Sequence, residues 1–341
     1  MTERSPRSSW IDGLIALIER IAGPAWVFYV VLSLIFGVAS IVLRWWDGSV
    51  PYPEVLWVPA AFATAALYPL AVIHYLNGSA RRALADFRPA LGDLEPQYPQ
   101  LEHRLTTMGQ PAAIVAVVLG AGVQSYGLIA SNGTWGVDAR TSLLTTVFTI
   151  VVQVLVNVFF AAFILRAIRQ LGTIVRIHRE STGIRLYEPG PHNAFSRFTL
   201  ATAVAVTVPY ALVEILVALI STSSPIEIAL LVLAGIVSVV VFALPLNGMH
   251  RRLVAEKDRQ LTESGRRFAT VAARVHEQVD AGRADEADGL DKQLSALGLE
   301  NDRLRRISTW PWSPDTLRGF VSALGVPLVL FVLTTLLSRL I

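Results

Sequence analysis

The sequence contains no cysteine, and among its 29 basic residues only Lys257 and Lys292 are lysines. Without cysteine there are no disulfides, no thiolate metal sites and no cysteine nucleophile. No Gly-Lys-Ser/Thr phosphate loop, dinucleotide-binding glycine pattern or serine elbow occurs. His276-Glu277 with Asp280 has the start of a zinc-protease helix but not its second histidine. Aligning Gly289 with the glycine of a calcium loop puts Ala284 at the first ligand position and Ser295 at the last, so that match fails. His178 and His192 are separated by prolines and glycines at no known ligand spacing. No catalytic residue, metal or cofactor is therefore expected, and an enzyme is disfavoured. Charge is scarce as well, with 16% charged residues and a net charge of +3, and no nucleic-acid partner is expected.

What the chain has in abundance is apolar surface. Its hydrophobic fraction is 53% and its mean hydropathy +0.52, values of an integral membrane protein. Apolar runs at Ala25–Leu43, Val55–Leu76, Pro111–Ala130, Leu143–Leu165, Thr199–Ile220, Ile226–Leu246 and Gly319–Ile341 are each about long enough to cross a bilayer. They are too continuous for barrel strands. The expected fold is all-α, a polytopic bundle of about seven transmembrane helices, with water-facing loops at 77–110 and 166–198. Residues 1–24 precede it as an amphipathic interfacial helix, with Ile11, Leu14, Ile15, Ile18 and Ile21 on one side and Asp12 and Glu19 on the other. Glu3, Asp12 and Glu19 argue against a cleavable signal there.

One long polar excursion, 247–309, separates the sixth and seventh spans. Leu253, Leu261, Phe268, Val271, Val275 and Val279 form one amphipathic row, and Leu290, Leu294, Leu297 and Leu304 a second. The segment from Gly282 to Gly289 reads as the turn between them. At 1.5 Å per residue the arms extend about 40 Å and about 30 Å, which predicts an antiparallel, coiled-coil-like hairpin. Two arms make a thin core, so a homo-oligomer or a cytoplasmic protein partner is expected to cover it. The final segment, 310–341, opens with Trp310 and Trp312 as interfacial anchors. Ser313 and Pro314 are placed to start the last helix.

Arginine sets the orientation. Arg81, Arg82, Arg88 and Arg104 follow the second span, and Arg166, Arg169, Arg176, Arg179, Arg185 and Arg197 the fourth, whereas the alternate loops are poor in it. By the positive-inside rule the amino terminus and the hairpin are cytoplasmic and the carboxyl terminus lies outside a cell membrane.

Polar residues within spans are costly in hydrocarbon and so are candidate functional residues. Ser142, Thr146, Thr149, Gln153 and Asn157 share one stripe of the fourth span, which continues into the apolar pair Phe160 and Ile164. Ala203, Thr207, Tyr210 and Glu214 form a looser stripe on the fifth, beside Pro209. Gln124 lies at similar depth on the third. The sharper reading is an oligomeric channel or transporter, with Glu214, Tyr210, Gln153, Asn157, Thr149 and Gln124 along a polar path and Phe160 and Ile164 as its constriction. The alternative is a membrane sensor or scaffold, whose intramembrane polar groups are interhelical glue and whose hairpin docks a cytoplasmic partner.

Overall fold

In the computed structural model the described residues are 8–21, 23–130, 140–183, 186–220, 225–282 and 284–340. Within these, the side chains at 130, 189, 210, 213–220, 225–228, 230, 284–288, 327, 331 and 334–340 lie outside the description. Regular structure among the described residues is helical. It comprises α1 (Trp10–Glu19), α2 (Ala25–Trp46), α3 (Trp57–Thr64), α4 (Tyr68–Phe87), α5 (Tyr98–Thr106), α6 (Gln110–Ala130), α7 (Leu143–Glu180), α8 (Pro189–His192), α9 (Ser196–Ile220), α10 (Pro225–Asp280), α11 (Ala284–Arg306) and α12 (Pro314–Leu340). Short 3₁₀ turns at Arg88–Ala90 and Gly92–Gln97 join α4 to α5.

Five stretches among the described residues are long and apolar enough to cross a membrane: Ala25–Trp46, Trp57–Ala90, Gln110–Ile129, Leu143–Glu180 and Leu231–Asp280. They mark an integral membrane protein. Only 17% of the most apolar window of α2 and 28% of that of α6 is buried, so their apolar surface faces outward, as it does when lipid is the solvent. Five is fewer than the seven expected from sequence. The other two runs fall in α9 and α12, many of whose side chains are outside the description.

Several expected boundaries are corrected. The second span is not one helix: α3 stops at Thr64 and α4 begins at Tyr68. Pro69 has no N–H for the Ala65 carbonyl, which instead accepts from Tyr68 N–H at 3.0 Å in a tighter turn. The loop at 77–110 is helical over most of its length, and the loop at 166–198 is shortened, because α7 runs on to Glu180. Arg166, Gln170, Ile174, Ile177 and His178 recur at helical spacing on its buried face. The sixth span and the first arm are one helix, α10, with no break at Asn247. α11 begins at Ala284, so the expected turn at Gly282–Gly289 contracts around Gly282, whose φ of +73° is the left-handed geometry that favours glycine. Gly289 lies inside α11.

The helices pack in two groups. α6 lies along α7 with α2 and α3 beside them, and α9 lies between α10 and α12, while α4 touches both groups. α11 returns along α10. The largest fully buried side chains, among them Phe87, Phe195, Phe198, Leu91, Leu105 and Met108, gather at the end of the bundle from which α10 projects. One core cluster runs from Leu70, Ile73 and Phe163 in the apolar runs to Leu246, Met249 and Leu253 at the base of the arm.

Candidate functional site

α7 carries several of the polar side chains that join the helices of this bundle. Its amino-terminal end is fixed by Asp47, which closes α2. Asp47 accepts from the Ser142 N–H at 2.9 Å and the Thr145 hydroxyl at 2.5 Å, and Ser142 caps α7 by accepting from Thr145 N–H at 3.2 Å. Desolvation acts upward on the Asp47 carboxyl, but the hydrogen bonds from Thr145, Ser142 and Ser49 outweigh it and hold it well below the usual carboxylate range.

Farther along, Gln124 of α6 donates to Gln153 Oε1 at 2.8 Å and accepts from Asn157 Nδ2 at 3.1 Å. The three amides therefore satisfy one another across a single helix pair. That pair approaches very closely: a Cβ on Gly120 would lie 2.5 Å from the Val158 backbone nitrogen. Thr149 is buried and donates to the Thr145 carbonyl at 2.8 Å, within its own helix. Together with Ser40, Val58, Phe62, Val152 and Gln153 it lines a cleft of about 130 Å³ between α2, α3 and α7.

The other candidate residues scatter. Phe160 is 39% exposed; the rings buried on this part of α7 are Phe159 and Phe163. Ile164 is half-buried against the main core. The side chains of Tyr210 and Glu214 lie outside the described residues, whereas Thr207 of α9 meets Ser238 of α10 and donates to the Ala203 carbonyl at 3.0 Å. Trp310 and Trp312, expected as interfacial anchors, belong to a ladder of stacked rings. His250, Trp310 and Trp312 stack face to face, with centroids 3.8 Å and 4.3 Å apart, and the ladder continues through Phe242 to Phe320. Ser313 caps α12, accepting from Thr316 N–H at 3.2 Å.

At its arm-side end α7 engages charges that the sequence pattern places elsewhere. Arg166, 2% exposed, donates to Asp12 of α1 at 2.9 Å and to the Thr106 carbonyl; Asp12 also accepts from Met108 N–H at 2.9 Å. Gln170 donates to the Leu105 carbonyl at 2.7 Å. In the sequence Arg166 reads as one more positive-inside arginine and Asp12 as the polar face of an interfacial helix. Their one legible signal is that Arg166 directly follows an apolar run, where a charge needs a partner.

The apolar run of α7 ends at Leu165, and His178 stands roughly 20 Å beyond it at 1.5 Å per residue. There His178 Nδ1 lies 2.9 Å from the Pro245 carbonyl of α10, so it carries the proton, and its ring packs on Phe87 and Phe195. Arg252 of α10 donates in return to the His178 carbonyl at 2.9 Å and to that of Ser181. Complete burial pushes His178 down to about 4, helped by Arg252 and His192 and opposed by the bond to Pro245. The joint between bundle and arm is thus made by a neutral histidine and an arginine on adjoining helices. No group of three or more metal-ligating side chains occurs among the described residues.

Comparison with known protein families, curated proteins and solved structures gave no match.

Proposed function

We propose that this chain is a membrane-embedded scaffold or sensor that presents the α10–α11 arm to the cytoplasm. The observation that carries the reading is the continuity of α10, which runs from Pro225 to Asp280 without interruption and is clamped to α7 by His178 and Arg252 at the point of exit. A displacement of the bundle therefore moves the arm as a rigid lever. The arm leaves Phe268, Val279 and Leu299 exposed at 38%, 56% and 63%, surface for a second copy of this chain or a cytoplasmic protein. The cytoplasmic placement rests on the arginine distribution. The amide cluster supports the same reading, since Gln124, Gln153 and Asn157 bond one another and act as glue.

A second reading, conduction, is favoured by the cleft lined by Ser40, Thr149 and Gln153. Reconstitution of the full chain separates the two. The scaffold reading expects no ion flux above empty liposomes, together with arm-dependent self-association or photo-crosslinking to a defined protein from residues such as Thr262 and Arg266. Flux that is abolished by Gln153→Leu, with the arm dispensable, overturns it.

A further inference from the structure

The cleft between α2, α3 and α7 is set into otherwise close packing. On one side of it Leu43 and Asp47 of α2 meet Thr145 of α7, whose hydroxyl lies 3.4 Å from the Leu43 carbonyl and donates to the Asp47 carboxylate at 2.5 Å. On the other side Phe36 of α2 meets Phe148 of α7 edge to face, with ring centroids 6.4 Å apart, and Gly37 lies so near α3 that a Cβ there would clash with the Thr64 hydroxyl. α2 is therefore fixed to its neighbours about one turn to either side of Ser40. The space beside Ser40, about 130 Å³, is a gap that the packing itself maintains.

A hydroxyl inside a helix can bond to the carbonyl one turn back, as Thr64 does to Ala60 at 2.9 Å and Thr149 to Thr145 at 2.8 Å. Ser40 does not. It is 5% exposed, lines the cleft, and its hydroxyl has no hydrogen-bond partner among the described residues. Burying a hydroxyl unpaired is costly, so an occupant that bonds to Ser40 gains what the chain does not supply. Thr149, on the same cleft, gives its one proton to Thr145 and can only accept, whereas Ser40 can donate. A group that accepts from one and donates to the other is a hydroxyl. The rest of the lining includes Val58, Pro59, Phe62, Phe148 and Val152, among which a charge would be disfavoured. Phe62 is 42% exposed, so this wall of the cleft meets the lipid.

We propose that the cleft is a binding site for a neutral, lipid-soluble alcohol or phenol that enters from the bilayer, with its hydroxyl between Ser40 and Thr149 and its apolar body against Phe62 and Phe148. The size agrees. A volume of about 130 Å³ is close to that of the roughly 150 Å³ protein cavity that takes up benzene, so one ring with one hydroxyl fills it. Gln153 lines the same cleft and accepts from Gln124 at 2.8 Å, so the occupant borders the amides that join α6 to α7. The inference rests on neither reading of the arm, because binding is measured without flux and without a partner protein.

The test uses the full chain in nanodiscs and two probes of one shape, para-fluorophenol and para-fluorotoluene, followed by fluorine magnetic resonance against empty nanodiscs. Affinities are referred to the concentration of each probe dissolved in the lipid. para-Fluorophenol should bind saturably, and para-fluorotoluene, with a methyl in place of the hydroxyl, about three- to tenfold more weakly, the range of a net hydrogen bond. Ser40→Ala should weaken para-fluorophenol about threefold or more and leave para-fluorotoluene unchanged. Ser40→Leu, whose side chain grows into the cleft, should abolish saturable binding of both; if it fails to fold, Ser40→Ala alone decides. No saturable excess over empty nanodiscs, the result for a cleft that holds only water, overturns the proposal. So does equal affinity of the wild type for the two probes, or a preference for the phenol that survives undiminished in Ser40→Ala.

Discussion

The two ends of α7 use different chemistry for the same task. Within the lipid-facing stretch, Gln124, Gln153 and Asn157 join α6 to α7 through neutral amides, beside a glycine that lets the backbones touch. On the arm side, Arg166, Asp12, His178 and Arg252 join α7 to α1 and α10 through ionisable groups inside a packed core. The difference follows from the surroundings. In hydrocarbon a charge is costly, and amides that satisfy each other form a cheaper bond whose loss costs little. Where the chain itself supplies carbonyls and counter-ions, a buried charge is tolerable, and removing one partner strands the other.

Substitutions can break this contrast, beginning with the ion pair. Asp12→Ala leaves Arg166 buried with the Thr106 carbonyl alone and should lower stability by about 3–5 kcal/mol, read from thermal unfolding in detergent. Joint replacement, Asp12→Leu with Arg166→Met, should recover most of that loss; if it does not, the pair does more than satisfy itself.

The second effect depends on pH. His178 is held down to about 4 against an ordinary value of 6.5, so between those values the unfolded chain binds a proton that the folded joint refuses. Its contribution is complete above about pH 6.5 and is lost as the pH falls toward 4, by up to roughly 3 kcal/mol. His178→Asn, which can still donate to Pro245, should flatten that part of the profile. Hydrogen exchange at the base of α10, followed across the same range, checks the sign.

The lipid-facing end should respond less. Gly120→Ala forces α6 off Val158 and should cost about 1–3 kcal/mol in the same detergent melts, because the displacement also breaks the hydrogen bonds of Gln124 to Gln153 and Asn157. Gln124→Leu removes the central amide and should cost about 1 kcal/mol. If Gln124→Leu proved as damaging as Asp12→Ala, the amides would not be mere glue, and the conduction reading would gain.

The material of this protein is legible in its residues alone: helical because lipid leaves few other ways to satisfy a backbone, apolar over several long runs, and polar in the excursion after Leu246. That Gln153 and Asn157 share one face of their span is legible too, because 100° per residue along a helix is arithmetic. The residues could not reveal that Val55–Leu76 is broken before Tyr68 or that α10 continues through Pro245, because a proline in an apolar run is tolerated or not according to what packs around the freed carbonyl. Nor could they join Asp12 to Arg166, Glu19 to His74 or His178 to Pro245. Those pairs link residues far apart in the chain, and whether a charge or an imidazole is solvated or buried depends on which helices meet there. That was decided only when the arm-side core closed around Phe87, Leu105 and Phe195, excluded water, and left each polar group the partners within its reach.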